Sequence, residues 1–140
     1  MILKLPYKTG PLHGGGVTAT AMLNVSIALP VKNAPRTKRF EAVIDSGASR
    51  CLFHASIGRF IGLEIEKGLV EETAGISGTS LTYLHDIALY LPGGIVNIQA
   101  GFSDKLPIAG LLGMNGFFDH FKVTFDPTAQ QCELERIFQP

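Results

Sequence analysis

The chain has 140 residues, with twelve basic and twelve acidic side chains that balance to a formal net charge of zero. Its densest basic stretch is Arg36, Lys38 and Arg39, too little for the electrostatic footprint of a nucleic-acid binder. A hydrophobic content of 46% against 17% charged residues, with sixteen glycines and eight prolines, excludes a disordered polymer and describes a turn-rich globular protein able to bury a core without metal or disulfide.

At the start, Met1–Pro6 lacks the apolar region and small-residue cleavage site of a secretory signal. No window approaches the roughly 18 unbroken apolar residues of a membrane span. The sequence therefore predicts a cytoplasmic protein with no membrane segment. From Met22 to Leu29, Leu23, Val25, Ile27 and Leu29 alternate with Asn24, Ser26 and Ala28, the period of a half-buried strand. Pro30 to Lys38 reads as an exposed hairpin loop returning into a strand from Arg39 to Ile44. A turn, Asp45-Ser46-Gly47-Ala48-Ser49, follows directly. Ser56 to Ile61 is expected to form one short helix, with Ser56 as N-cap and Gly62 just past its end.

Glu64 to Ala74 and Thr79 to Leu91 are expected to pair as strands around Gly75-Ile76-Ser77-Gly78. In the second of them Leu81, Tyr83, Ile87 and Leu89 keep the alternation and His85 interrupts it. Gly94 to Phe102 gives another strand, Gly110 to Gly113 a short apolar one, and Asn115 to His120 one or two helical turns. Lys122 to Phe125 and Cys132 to Ile137 then pair across the turn Asp126-Pro127-Thr128-Ala129. Seven to nine short strands with little helix, at regular turn spacing, indicate an all-β sandwich or barrel over one domain spanning residues 1–140.

Cys51 and Cys132 have neither metal-ligand spacing nor a disulfide-rich setting, so free thiols are expected. His13, His54, His85 and His120 are scattered without ligand spacing, and no metal or other cofactor is expected. His13-Gly14-Gly15-Gly16 imitates the oxyanion loop of esterases, but no Gly-x-Ser-x-Gly elbow accompanies it. Phosphotransfer through Asp45 would need charged partners that Arg50 alone does not supply.

What remains is a carboxylate and two hydroxyls on a tight turn at a strand end, with a second apolar-Gly element, Leu111-Leu112-Gly113, far downstream. Hydrolysis of a peptide bond by carboxyl groups needs one ionised group to take a proton from water and a protonated one to polarise the carbonyl. Two close carboxyls share a proton because both cannot ionise together. The chain carries one Asp-Ser-Gly string, so the second carboxyl must be Asp45 of another copy across a two-fold axis. Gly47, without a Cβ, allows close backbone approach and lets its amide reach the carboxylate. Gly75-Ile76-Ser77-Gly78 is a hairpin tip able to close over an extended peptide held by main-chain pairing.

These motifs stand in the order of the retropepsin-like aspartic proteases, and the chain resembles that family over most of its length. Asp45-Ser46-Gly47-Ala48 matches the catalytic loop and Gly75-Ile76-Ser77-Gly78 the flap. Leu111-Leu112-Gly113-Met114-Asn115 with Phe117 and Phe118 matches the supporting strand and the short helix after it. The resemblance implies a closed or partly open acid-protease β-barrel with one or two short helices, working as a homodimeric endopeptidase on a polypeptide substrate. It implies Asp45 as catalyst, Ser46 as an interlocking hydroxyl, Gly47 as the close-approach position, and Ala48 with the four flap residues as substrate-binding groups. Where pepsin-like lobes commonly carry a hydroxyl that donates to the carboxylate, this chain has Ala48, which implies a pH optimum less acidic than pepsin's. The long lead through Gly14-Gly15-Gly16 departs from the viral pattern. The rival reading keeps the same barrel as a dimerisation or peptide-binding module without efficient turnover.

Overall fold

The computed structural model describes residues 2–75 and 78–137. Twelve strands lie among them: β1 (Ile2–Pro6), β2 (Lys8–Pro11), β3 (Val17–Thr20), β4 (Met22–Ala28), β5 (Phe40–Ile44), β6 (Leu52–His54), β7 (Leu69–Gly75), β8 (Gly78–Leu91), β9 (Gly94–Ser103), β10 (Gly110–Leu112), β11 (Phe121–Asp126) and β12 (Gln131–Arg136). One α-helix, α1 (Ala55–Phe60), and a 3-10 turn (Ile65–Lys67) complete them. The fold is all-β, as expected, with more strands than periodicity revealed. β2, β3 and β6 are only three or four residues long, too short to display an alternation.

Seven strands form one sheet in the order β4-β5-β10-β6-β9-β8-β7, and an additional β4–β8 pairing curls it back on itself. β4 makes that corner by changing partner. Met22 to Val25 pair with β5, whereas Ser26, Ile27 and Ala28 pair with Tyr90, Leu89 and Ala88 of β8. Alternating burial accordingly gives way to Val25, Ser26, Ile27 and Ala28 all being buried. Within the curl pack Val25, Ile27, Ala42, Phe53, Ile87, Leu89, Ala100, Phe102 and Leu112, each at most 1% exposed. Burying the Val, Ile, Leu and Phe side chains among these stabilises by about 1.5–3 kcal/mol apiece. Phe53 sits between Phe40 and Phe102, with both ring centroids 5.9 Å away.

The chain ends meet in a second sheet, β1-β12-β11, where β1 pairs antiparallel with β12 from Ile2–Glu135 to Pro6–Gln131. The expected closing hairpin is present, with β11 on β12. Phe121, Cys132 and Leu134 join it to the main core, and Phe121 stacks on Phe117 at 5.2 Å. β2 and β3 form a separate hairpin.

Four local expectations are corrected. The N-cap of α1 is His54, not Ser56: its ring nitrogen Nδ1 accepts the Ser56 amide at 3.1 Å, a capping role that a carboxylate or hydroxyl more often fills. Residues 64–68 are not strand. They turn through the 3-10 segment, whose Ile65 is buried and whose Ile65 carbonyl accepts a hydrogen bond from His85 Nε2 at 2.8 Å, so β7 begins only at Leu69. Residues 115–120 form hydrogen-bonded turns instead of helix, because Gly116 adopts φ +102° and breaks the helical run. The loop after β4 is also less exposed than expected at one point, since Thr37 is buried and its hydroxyl accepts the Ile27 amide.

Candidate active site

β5 and β10 run parallel, pairing Val43 with Leu111 and Ile44 with Leu112. β10 is also paired with β6 on its other side, so the two apolar motifs of the sequence lie side by side at the centre of the sheet. Asp45 is the first residue beyond β5. Its amide donates to the Leu112 carbonyl at 3.0 Å, and its carbonyl accepts the Ala48 amide at 3.2 Å to close the turn. The Gly47 amide donates to Asp45 Oδ1 at 2.9 Å. That bond fixes the carboxylate on its own loop, an Asx-type turn. Asp45 is half-buried, while Ser46, Gly47 and Ser49 are exposed. The loop presents its polar atoms outward from a rigid sheet end.

The support beneath the loop is a backbone ladder. Met114 and Asn115 donate their amides to the carbonyls of Ala48 and Ser49 at 2.8 and 3.0 Å, and Arg50 pairs with Asn115 as an isolated parallel bridge. Gly113 permits the approach: a Cβ there would strike the Arg50 carbonyl oxygen and come within 2.7 Å of the Ala48 oxygen. Cys51, next in line, is fully buried and reaches toward the Asn115 carbonyl at 3.5 Å. Burial pushes its thiol up to about 11, which suits a core residue and not a nucleophile.

Opposite the loop stands the β7–β8 hairpin, paired from Leu69–Leu84 to Gly75–Gly78. Gly75 and Gly78 face each other at its end, and Gly78 adopts φ +114°. Ile76 and Ser77, the expected flap tip, lie outside the described residues. Between hairpin and loop is a cavity of about 280 Å³ lined by Gly47, Ala48, Ser49, Arg50 and Leu52 on one side and Glu71, Glu72 and Ala74 on the other. A larger depression of about 630 Å³ around Phe40, Ile57 and Phe60 contains none of the motif residues.

One contact crosses the cleft that the sequence did not reveal. Arg50 Nη2 meets Glu71 Oε2 at 3.0 Å, with Arg50 Nη1 at 3.5 Å from Gln99 Oε1. The guanidinium is 22% exposed and the carboxylate 38%. No spacing links positions 50 and 71, since the pair exists only because β6 and β7 flank the same cleft. The structure thus brings Asp45, Ser46, Gly47 and Ala48 together on one loop and sets the flanks of the expected flap, Gly75 and Gly78, on the facing hairpin. Among the described residues, no group of three or more His, Cys, Asp or Glu side chains is placed to hold a metal ion, and no helix is long and apolar enough to cross a membrane.

No family model and no curated protein sequence matches the chain. Solved structures do. The crystal structure of a retropepsin-like aspartic protease from Rickettsia conorii aligns with a TM-score of 0.57 at 14% identity, covering 96% of this chain and 91% of the other. The EIAV protease, complexed with the inhibitor HBY-793, aligns with a TM-score of 0.52 at 14% identity, covering 68% of this chain and 82% of its own. At this identity the likeness establishes architecture: the chain has the retropepsin-like fold.

Proposed function

With that fold as premise, we propose that the chain is an aspartic endopeptidase, acting as a homodimer in which two copies of Asp45 share one water and one exchangeable proton. A single observation carries the reading. Asp45 is held by the Gly47 amide on the loop whose following residues, Gly47 to Arg50, line a cleft facing the β7–β8 hairpin, on a fold whose solved relatives are proteases.

A lone half-exposed aspartate has no means of serving as acid and base together. Paired across a two-fold axis, one ionised carboxylate removes a proton from water as oxygen adds to the scissile carbonyl carbon. The other carboxyl gives its proton to the carbonyl oxygen, leaving a neutral tetrahedral diol. Collapse returns a proton from a diol hydroxyl to the second carboxylate, while the first protonates the departing nitrogen. Proton count is restored and the C–N bond is broken. The hairpin supplies edge backbone for an extended peptide and excludes water from the diol. Ser46 is assigned the interlocking hydroxyl and Gly75 to Gly78 the closing tip. Peptide of mixed sequence is the substrate class.

The stoichiometry of a tetrahedral mimic tests this. A short peptide with a hydroxyl-bearing carbon in place of the scissile carbonyl should bind one molecule per two chains by calorimetry and drive dimerisation. One molecule per chain, or binding equal to that of the unmodified peptide, would argue for a peptide-binding module in place of an enzyme.

A further inference from the structure

The β2–β3 hairpin has no role in the site described above, nor does it build the core. Not one of residues 8–20 is buried, and Leu12 and Val17 at its far end are 50% and 69% exposed. Among the described residues its strands pair only with each other, from Lys8–Thr20 to Pro11–Val17. The connection is nevertheless built with care: Leu12 donates to Gly16 and accepts from Gly15, and Gly14, Gly15 and Gly16 all take positive φ between 87° and 106°. Three successive left-handed residues are accessible to glycine alone at low cost. An isolated two-stranded ribbon is marginal in water unless it packs on something.

Composition sharpens the point. Residues 9–20 contain no Lys, Arg, Asp or Glu. Exposed strand edges are ordinarily guarded by charge, and here only Lys8 at the ribbon's base, ion-paired to Glu41, and Pro11 guard the edge, leaving the far end uncharged. Such a ribbon is suited to being covered.

Its place identifies the cover. β3 ends at Thr20, and the next residue, Ala21, accepts the amide of Ile44 at 2.9 Å. Ile44 is the last residue before Asp45. The ribbon therefore leaves the barrel at the rung adjoining the catalytic loop, on the rim where a second Asp45 must arrive. Four residues of strand span about 13 Å, the scale of a subunit-to-subunit reach.

We infer that the β2–β3 ribbon is an intersubunit arm, whose Leu12 and Val17 end packs on the second copy of this chain that completes the site. The inference rests on the Asp45-pair reading for the identity of the partner. In an isologous dimer both arms engage at once, so each lost contact counts twice.

Sedimentation of the full chain against Leu12→Asp/Val17→Asp, with peptide cleavage read on the same samples, tests it. The variant should fold normally by circular dichroism, raise the dimer dissociation constant at least tenfold, and regain cleavage at high protein concentration. An unchanged dimer constant in a chain that still cuts would overturn the arm and leave the protease standing. A native dimer weakened by the variant, but with no Asp45-dependent cleavage at any concentration, would support the arm and sink the protease. Should the variant not fold, hydrogen exchange of the native chain decides: amides of residues 9–20 should be protected at high concentration and released on dilution, and concentration-independent exchange overturns the inference.

Discussion

The amide of Asp45 donates to the carbonyl of Leu112 across 3.0 Å, so the proposed catalyst hangs from the strand that supports it. One backbone bond ties the Asp-Ser-Gly loop to the apolar-Gly element. The loop then gains two more carbonyl bonds, from Met114 and Asn115, before the chain reaches Cys51. Backbone contacts of this kind fix the carboxylate's position more tightly than side-chain packing alone, because peptide groups have few alternative partners in a sheet interior.

Gly113 is the position where this arrangement is most easily tested. An added methyl meets two carbonyl oxygens, those of Arg50 and Ala48, and both belong to a laddered backbone with little room to shift. Gly113→Ala should lose about 1–3 kcal/mol of stability and lose cleavage out of proportion, since the loop that moves carries Asp45. Urea unfolding and kcat/KM measured together check this, and an alanine variant with native values of both would show that the ladder is not what places the loop.

The Arg50–Glu71 pair joins the end of the Asp-Ser-Gly loop to strand β7 of the facing hairpin. Arg50→Gln or Glu71→Gln should raise KM severalfold with a smaller effect on kcat, because the hairpin loses its anchor while the carboxyl chemistry is untouched. Reversing both, Arg50→Glu with Glu71→Arg, should recover part of the loss, corresponding to a coupling of about 1 kcal/mol. A loss in the reversed double equal to the sum of the losses of its two single reversals would mean the two residues act independently.

Cys51 gives a pH signature. Desolvation holds its proton in the folded state up to about 11, whereas an unfolded thiol ionises near 8.5. Above that pH the unfolded chain binds fewer protons than the folded one, so folding stability is fully present below the unfolded value and falls as pH rises toward the folded one, by on the order of 2–3 kcal/mol. The decline should be shallower in Cys51→Ala, compared by denaturation at pH 8 and pH 10.5. Thiol reagents should leave the native chain unlabelled near pH 7 and label both cysteines once it unfolds, since Cys51 and Cys132 are free and buried. Rapid native labelling of Cys51 would contradict its placement in the core.

Much of this was readable in the residues. Leu23, Val25 and Ile27 announced β4 by alternation, and Phe40, Ala42, Val43 and Ile44 announced β5 because they lead, past Glu41 alone, directly into a turn. The Gly47–Asp45 bond followed from what a glycine two residues after an aspartate can do. Hidden were features that depend on distant partners. Leu52–His54 is three residues long and becomes strand only between Gly110–Leu111 and Gly101–Ser103. Ile2–Pro6 carries no strong pattern until β12 offers an edge. His54 displaced Ser56 as N-cap because a ring nitrogen reached the Ser56 amide first, and Arg50 found Glu71 only through the cleft they share.

The most direct measurement is cleavage of a mixed, unstructured peptide library between pH 4 and pH 7 by the native chain and by Asp45→Asn, with the mass of each sample read by sedimentation. Cuts made by a dimer, strongest at mildly acidic pH and abolished by the single amide substitution, are the predicted result. A well-folded native dimer that cuts nothing, or cuts that survive in Asp45→Asn, would contradict the assignment of catalysis to a pair of Asp45 carboxyls.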